Sequence, residues 1–502
     1  MNEGVKRITL DWFAGKTVVV MGLGLNKGGV GSTIWLMRHG AKVTVTDLRD
    51  QHVLAPSIAE VEKEYITGQK ELGRGKMHRV KYVLGRHDEA DFASADMVIQ
   101  NPGVPRESQF LKVAREHGVM IENDVSIFFQ LCPFPILAIT GTRGKTTTTT
   151  LVGAMAKMHD RRSVMGGNIR IPVLSLLDSL MSKKVSAKST KPLVVLELSS
   201  WQLEALEPHH MSPQVGVVTN LFPDHLNRYR DMADYAAAKE NIIQWQTPAD
   251  VAVLNAENEW TVKMGERARG RIIWFGKKLS AKMGDGVFVA DGWIMMRAGG
   301  KVTKVVKVSA LKVMGEHNVM NVMSAVAAGV AAGVTMTIIK KAIAEFRGVE
   351  DRQELIATIK GVDYVNDTTA TSPDACVVAL KTFGAVAKKK RIVLISGGAD
   401  KKLEFGEWAE TVKKYVKYLV LFDGTATPRM EEALAKVKWS TPMIGARSMQ
   451  EALLLARDAA EKGDVVLLSP GCASFGLFLN EFDRGGQFVK GVKGLLRGAR
   501  ND

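Results

Sequence analysis

A chain of 502 residues, 46% of them hydrophobic, has material for several buried cores, and at roughly 150 residues per domain it is expected to form about three. No run of 18 or more apolar residues occurs and residues 1–7 lack an apolar stretch, so neither membrane insertion nor a secretion signal is expected, and a cytoplasmic location is. The net charge of +15 is scattered rather than gathered into a basic-aromatic block, which argues against nucleic acid and fits a mild attraction for polyanionic small substrates; Cys132, Cys376 and Cys472 have no metal-ligand spacing and are too few for a disulfide framework.

The N-terminal third alternates β-branched runs with helical patterns. Strands are expected at 17–21, 42–47 and 96–100 and a helix at 32–39, which predicts a parallel sheet. Between the first strand and the helix lies Gly22-Leu-Gly24-Leu-Asn-Lys-Gly28-Gly29-Val-Gly31, and Asp47 ends the next strand. In a dinucleotide fold such a carboxylate meets a ribose hydroxyl. Lys27 stands where a strict G-x-G-x-x-G has its third glycine, so a nucleotide moiety other than NAD fits at least as well. Asn101-Pro102-Gly103 is expected to turn at the same sheet edge and complete that pocket.

A second section starts near Pro133. Leu137-Ala-Ile-Thr is an apolar strand that runs into Gly141-Thr-Arg-Gly144-Lys145-Thr146. Glycines let backbone N–H groups turn onto phosphate oxygens, and the helix beginning near Lys145 points its positive end at the same anion. Lys145 would neutralise the β and γ phosphates, and the Thr146 hydroxyl would hold Mg²⁺. Further strands are expected at 193–198 and 215–219, ending in Glu197 and in Asn220 through Asp224-His225. Glu197, inside Val-Val-Leu-Glu-Leu, either faces a cation or reaches water from a sheet edge. Asp224-His225 either joins a site or caps a helix.

After an apolar helix at 322–334 come strands at 391–396, 418–422 and 465–469, each followed by a glycine turn at Gly397-Gly398, Gly424 or Gly471. The run Lys388 to Arg391 reads as a solvated strand entrance. No short-period repeat is present. The expected fold is α/β in three domains: Rossmann-like over 1–132, a central P-loop ATPase-like parallel sheet over 133–346, and Rossmann-like again over 347–502.

The order and spacing of several segments resemble the Mur ligases, the ATP-dependent amide-forming enzymes of peptidoglycan precursor synthesis. They are Gly141-Thr-Arg-Gly-Lys-Thr-Thr147, Gly166-Gly-Asn168, Leu196-Glu-Leu-Ser-Ser-Trp-Gln-Leu-Glu204 and Asn220-Leu-Phe-Pro-Asp-His-Leu-Asn-Arg-Tyr229. They continue with Tyr235-Ala-Ala-Ala-Lys239, Gly315-Glu-His-Asn-Val-Met-Asn321, Asp351-Arg352 and Asn366-Asp-Thr-Thr-Ala-Thr371, so the resemblance covers essentially the whole chain. The stretch from Glu197 to Glu204, the N-terminal glycine turn and Ser469-Pro-Gly-Cys-Ala-Ser-Phe475 are similar to the D-glutamate-adding branch.

The resemblance implies a monomer that uses ATP and Mg²⁺ and takes UDP-N-acetylmuramoyl-L-alanine and D-glutamate as substrates. It implies that Gly141, Thr142, Arg143, Gly144, Lys145, Thr146 and Thr147 hold the ATP phosphates, that His317, Asn318 and Asn321 sit by adenine and ribose, and that Arg352 and Asp367 reach the nucleotide from the last domain. Lys145, Glu197, His225 and Lys239 would be the catalytic set. Thr146, Glu197, His225 and Lys239 would form the metal site, Lys239 as a carbamate. Gly24, Asp47, Asn101, Gly103 and Asn168 would hold the UDP-sugar, and Thr371, Lys401, Ser474 and Phe482 the amino acid. This sequence departs from the family pattern in Asp351, which replaces a histidine, in Thr369, which replaces a lysine, and in Glu481, which precedes Phe482. Because ATP residues are divided between the middle and last domains, domain closure is expected. Other readings at this point are a Mur ligase adding another amino acid, a folylpolyglutamate synthetase, an NAD-dependent oxidoreductase and a non-catalytic nucleotide-binding regulator.

Overall fold

The computed structural model describes residues 8–498 apart from 26, 74, 170, 184–189, 225–227 and 385–390. His225 and Lys388 to Lys390 therefore lie outside the described residues. The chain forms two compact units, one of the described residues up to Leu311 together with Glu316–Glu345, the other of Lys312–Gly315 together with the described residues from Phe346 on.

The first unit holds two sheets. The first comprises β1 (Thr17–Met21), β2 (Lys42–Asp47), β3 (Lys81–Leu84), β4 (Met97–Gln100) and β5 (Met120–Glu122), all parallel, in the order 3-2-1-4-5. That is the order of a doubly wound nucleotide fold, whose crevice opens where the order reverses, between β1 and β4. Val18, Val19 and Val20 are fully buried, because helices cover both faces of a parallel strand. The helix Gly28–Arg38 starts earlier than the periodicity suggests, with Lys27 in the left-handed region (φ 61°) at its N-cap, where the expected third glycine would have served.

The second sheet comprises β6 (Ile136–Thr140), β7 (Val164–Gly167), β8 (Val194–Glu197), β9 (Val215–Val218), β10 (Val251–Asn255), β11 (Arg271–Phe275), β12 (Gly286–Ala290), β13 (Trp293–Ala298) and β14 (Lys301–Lys307). Its order is 14-13-12-11-10-9-6-8-7, parallel from β7 to β12, with β13 and β14 added antiparallel. β6 lies between β8 and β9, so the carboxyl ends of these three strands share one rim. Glu197 sits on an interior strand and is 2% exposed, which removes the reading of a carboxylate reaching water from an edge. The N-cap of the helix Met232–Gln244 is Asp231, whose side chain accepts from the Asp234 N–H, so Asp224 does not cap it.

The second unit holds β15 (Glu354–Ile359), β16 (Val362–Asn366), β17 (Ile392–Gly397), β18 (Val416–Phe422), β19 (Met443–Ala446) and β20 (Val465–Leu468) in the order 15-16-20-17-18-19, with only β15 antiparallel. Strand alternation divides its core. Ile392 and Leu394 pack with Trp408 on one face, while Val393 and Ile395 pack with Phe422 and Phe488 on the other.

Candidate active site

The loop after β6 is shaped by two glycines in the left-handed half of backbone space, Gly141 (φ 140°) and Gly144 (φ 81°), the latter the N-cap of the helix Lys145–His159. A Cβ on Gly141 would collide with the Thr219 hydroxyl, and one on Gly144 with Asn321 Oδ1. The segment after β9 braces the loop. The Thr142 N–H donates to the Asn220 carbonyl (2.8 Å), the Arg143 N–H to Asn220 Oδ1 (2.9 Å), and Thr219 Oγ1 to the Arg143 carbonyl (2.7 Å). Lys145 Nζ donates to the carbonyls of Gly141 (2.8 Å) and Thr142 (2.9 Å), so the ammonium lies over the loop rather than out in solvent. Thr146 and Thr147 are half-buried in the first helical turn.

Beside the loop, at the end of β8, Glu197 Oε1 accepts from Asn168 Nδ2 (3.1 Å), while the buried Oε2 accepts no hydrogen bond among the described residues. The Asn168 N–H also donates to the Glu197 carbonyl (2.9 Å), so β7 and β8 end in register. From the helix Met232–Gln244 comes Lys239, 2% exposed, with Nζ donating to Thr140 Oγ1 (3.3 Å) and lying 4.9 Å from the Tyr235 ring centre. Burial pushes this amine well below the ordinary lysine range; the Lys145 ammonium adds to the effect, and Asp224 and Glu197 oppose it. One rim thus gathers a phosphate-type loop, an ammonium, a buried carboxylate with an unused oxygen and a desolvated amine.

On the helix Glu316–Ala331, which packs on Lys145–His159, Asn321 donates to Asn318 Oδ1 (3.1 Å) and stands against Gly144. His317 is exposed in the first turn. In the N-terminal sheet, Asp47 accepts from the N–H groups of Gly24 (3.1 Å) and Arg49 (3.0 Å), and Asn101 Nδ2 donates to the Gly22 carbonyl. The turns after β1 and β4 therefore meet at the switch point, with Gly103 exposed beside them.

In the second unit, Asp367 follows β16 and accepts from Ser469 Oγ (2.8 Å) and the Gln353 N–H (3.2 Å). Burial pushes its carboxyl up to about 7, with Ser469, Gln353 and Arg352 opposing. Lys401 Nζ donates to Thr371 Oγ1 (3.1 Å), and the Ala399–Ala473 bridge sets the buried Ser474 beside the same strand ends. Phe482 is half-buried and its N–H bonds Asn480 (3.0 Å). Thr369, in the place of the family's lysine, donates to the Asp351 carbonyl (2.9 Å).

Thr140 and Thr219 carry no motif and were not singled out from sequence, yet one bonds Lys239 and the other the phosphate-type loop. Their only signal was position, at the last residue of a strand or just beyond it. Arg484, fully buried and donating to the Thr368 carbonyl (2.9 Å) and Oγ1 (3.1 Å), was also missed, since no local pattern marks a buried arginine.

Three family models match the chain: the Mur ligase MurD-like N-terminal domain over residues 16–123, the Mur ligase middle domain over 139–329, and the Mur ligase glutamate ligase domain over 351–472. UDP-N-acetylmuramoylalanine--D-glutamate ligase of Roseiflexus sp. (strain RS-1) is 41% identical over 488 residues, covering 96% of this chain and 99% of that protein. The ligase of the same name from Symbiobacterium thermophilum is 35% identical over 476 residues, covering 95% and 97%. Among solved structures, UDP-N-acetylmuramate-alanine ligase from Thermotoga maritima matches with a TM-score of 0.57 at 22% identity, over 95% of this chain and 99% of that one. MurF ligase from the same organism, solved with ADP, matches at 0.54 and 15% identity, over 91% and 95%. These two share the fold. With near-complete coverage by relatives above 30% identity and the three domain models in order along it, the chain belongs to the Mur ligase family.

Proposed function

We propose that this chain is an ATP-dependent ligase that joins D-glutamate to UDP-N-acetylmuramoyl-L-alanine through an acyl phosphate, acting as a cytoplasmic monomer. The reading assigns the UDP-sugar to residues 1–132, ATP to 133–346 and the amino acid to 347–502. The observation that carries it is the rim at the ends of β6, β8 and β9, where the glycine loop and Lys145 adjoin buried Glu197 and Lys239.

A carboxylate is a poor electrophile, and its attack on ATP brings two anions together. The acceptor carboxylate oxygen bonds to the γ-phosphorus as the bond to ADP breaks. The D-glutamate nitrogen then bonds to the acyl carbon, phosphate leaves, and the amine gives up a proton. Lys145 and the N–H groups at the start of its helix stabilise the transferring phosphoryl, while a Cβ at Gly141 or Gly144 would strike Thr219 or Asn321 and displace the loop.

Lys239, whose amine burial shifts toward the neutral form, would act as a nucleophile for CO₂; forming the N–C bond and releasing a proton would yield a carbamate. That anion, the Glu197 Oε2 that accepts no hydrogen bond among the described residues and the Thr146 hydroxyl would make a hard-oxygen donor set suited to Mg²⁺, with His225 as the fourth residue of the proposed set. Bound there, the cation would neutralise charge between phosphate and carboxylate oxygens. Asn168, which donates to Glu197, would contact the acceptor near its reacting carboxylate. Thr371, Lys401, Ser474 and Phe482 would receive D-glutamate, with Lys401 supplying the cation that Thr369 lacks. Asp367 and Arg352 would meet the nucleotide, as would His317, Asn318 and Asn321.

The test is phosphate release with ATP, Mg²⁺ and UDP-N-acetylmuramoyl-L-alanine, comparing D-glutamate with L-glutamate, L-lysine and diaminopimelate. Release is expected with D-glutamate at least 100-fold above the others. Comparable release with another amino acid would overturn the substrate assignment, and none with any would overturn the ligase reading.

A further inference from the structure

Glu204 closes the helix Ser200–Glu204 and is buried, outside the rim described above. Its carboxylate is shared by groups from two different parts of the chain. Arg106 Nε from the loop after β4 lies 3.0 Å from Oε2, and Arg228 Nη2 lies 3.2 Å from the same oxygen. The Tyr229 hydroxyl donates to Oε1 (2.8 Å), and Arg106 Nη2 also donates to the Glu204 carbonyl (3.0 Å). Arg228 stacks on Trp201, its guanidinium carbon 4.9 Å from the ring centre.

The two arms lead to different parts of the proposed site, one to the turn assigned to the UDP-sugar and the other to the phosphate-type loop. The Arg106 arm holds the turn that begins at Asn101, which bonds the Gly22 carbonyl. Through the other arm, the Tyr229 ring packs against Tyr235 (5.2 Å), whose hydroxyl lies 3.2 Å from Thr142 Oγ1 in the phosphate-type loop. Breaking this cluster is costly at its buried members, because Glu204 or Tyr229 left without a partner would be a desolvated polar group.

We infer that Glu204 is a positioning residue that keeps the 101–108 turn in register with the segment running from Arg228 to the phosphate-type loop, so that acceptor and γ-phosphate meet at a fixed separation; its kinetic part rests on the ligase reading, its structural part does not. Glu204 touches neither substrate. It sets the distance between the groups that do.

The experiment compares Glu204→Gln, Arg106→Ala and Tyr229→Phe with the full-length wild type, by amide hydrogen exchange and steady-state kinetics. In Glu204→Gln the amides of 101–108 and of 228–231 are expected to exchange at least tenfold faster, with β6 and β8 unchanged. Arg106→Ala is expected to raise the acceptor KM about tenfold with the ATP KM unchanged, and to add less than twofold when combined with Glu204→Gln. Tyr229→Phe is expected to lower kcat with the acceptor KM unchanged. Unaltered exchange at 101–108, or Arg106→Ala and Glu204→Gln effects that multiply in full, would overturn the inference. Arg106 is a surface side chain, so its variant keeps the test decisive if Glu204→Gln folds poorly. Should the wild type release no phosphate with D-glutamate, the ligase reading fails while the exchange result still decides the role of Glu204.

Discussion

Two buried ionisable side chains are shifted in opposite senses by the same cause. Burial lowers the Lys239 amine and raises the Asp367 carboxyl to about 7, in each case favouring the neutral form. For Asp367, whose ordinary value is 3.8, the native chain holds a proton between those two values that the unfolded chain has released. Its contribution to stability is therefore fully present below the ordinary value and is lost as pH rises towards 7. Replacing Asp367 by Asn removes this titration. The unfolding free energy of the wild type, minus that of Asp367→Asn, is expected to fall by up to about 1.4 kcal/mol per pH unit between pH 4.5 and 6.5. Denaturant titrations at a series of pH values measure it, and a difference that does not change with pH would show that burial does not shift this carboxyl.

At the scale of elements, the site depends on where helices begin and strands end. Gly144 must hold φ 81° to turn β6 into the helix Lys145–His159, and its missing Cβ admits Asn321 from the helix Glu316–Ala331. Gly144→Ala is expected to cost about 1–2 kcal/mol in backbone strain and to displace Asn321 as well. Because both effects fall on the phosphate-type loop, the ATP KM should rise tenfold or more while the acceptor KM changes less than twofold. Steady-state kinetics with each substrate varied in turn checks this, and equal rises in both would place Gly144 in general folding instead. Similar close packing occurs at Gly31, where a Cβ would strike Pro172 at the end of the strand-to-helix connection that bears Asn168. The N-terminal helix thus abuts the segment that holds Asn168 to Glu197.

At the scale of the whole molecule, the residues assigned to ATP are divided between two compact units, with Lys145 and Asn321 in one and Arg352 and Asp367 in the other. Both groups are proposed to serve one nucleotide, and on that reading closure of the units on ligand is the expected outcome. Small-angle scattering is expected to show a smaller radius of gyration on adding a non-hydrolysable ATP analogue with the acceptor, and superimposable curves would refute closure. The α/β class, the three-sheet organisation and the glycine loop were legible in the sequence, because parallel strands buried on both faces read as continuous β-branched runs and left-handed turns demand glycine. The edge strand β14 was not, since Lys-Val-Thr-Lys-Val-Val-Lys leaves most of its side chains at the surface and carries little hydrophobic signal. Local chemistry determined that Glu197 is expensive to bury and that Lys145 follows a phosphate-type turn. Only the tertiary structure decided that β8 is interior, that Lys239 is a desolvated amine beside Thr140, and that Glu204 joins Arg106 to Tyr229. Burial and the pairing of charges distant in sequence arise from how strands order and helices pack, and no local pattern encodes them.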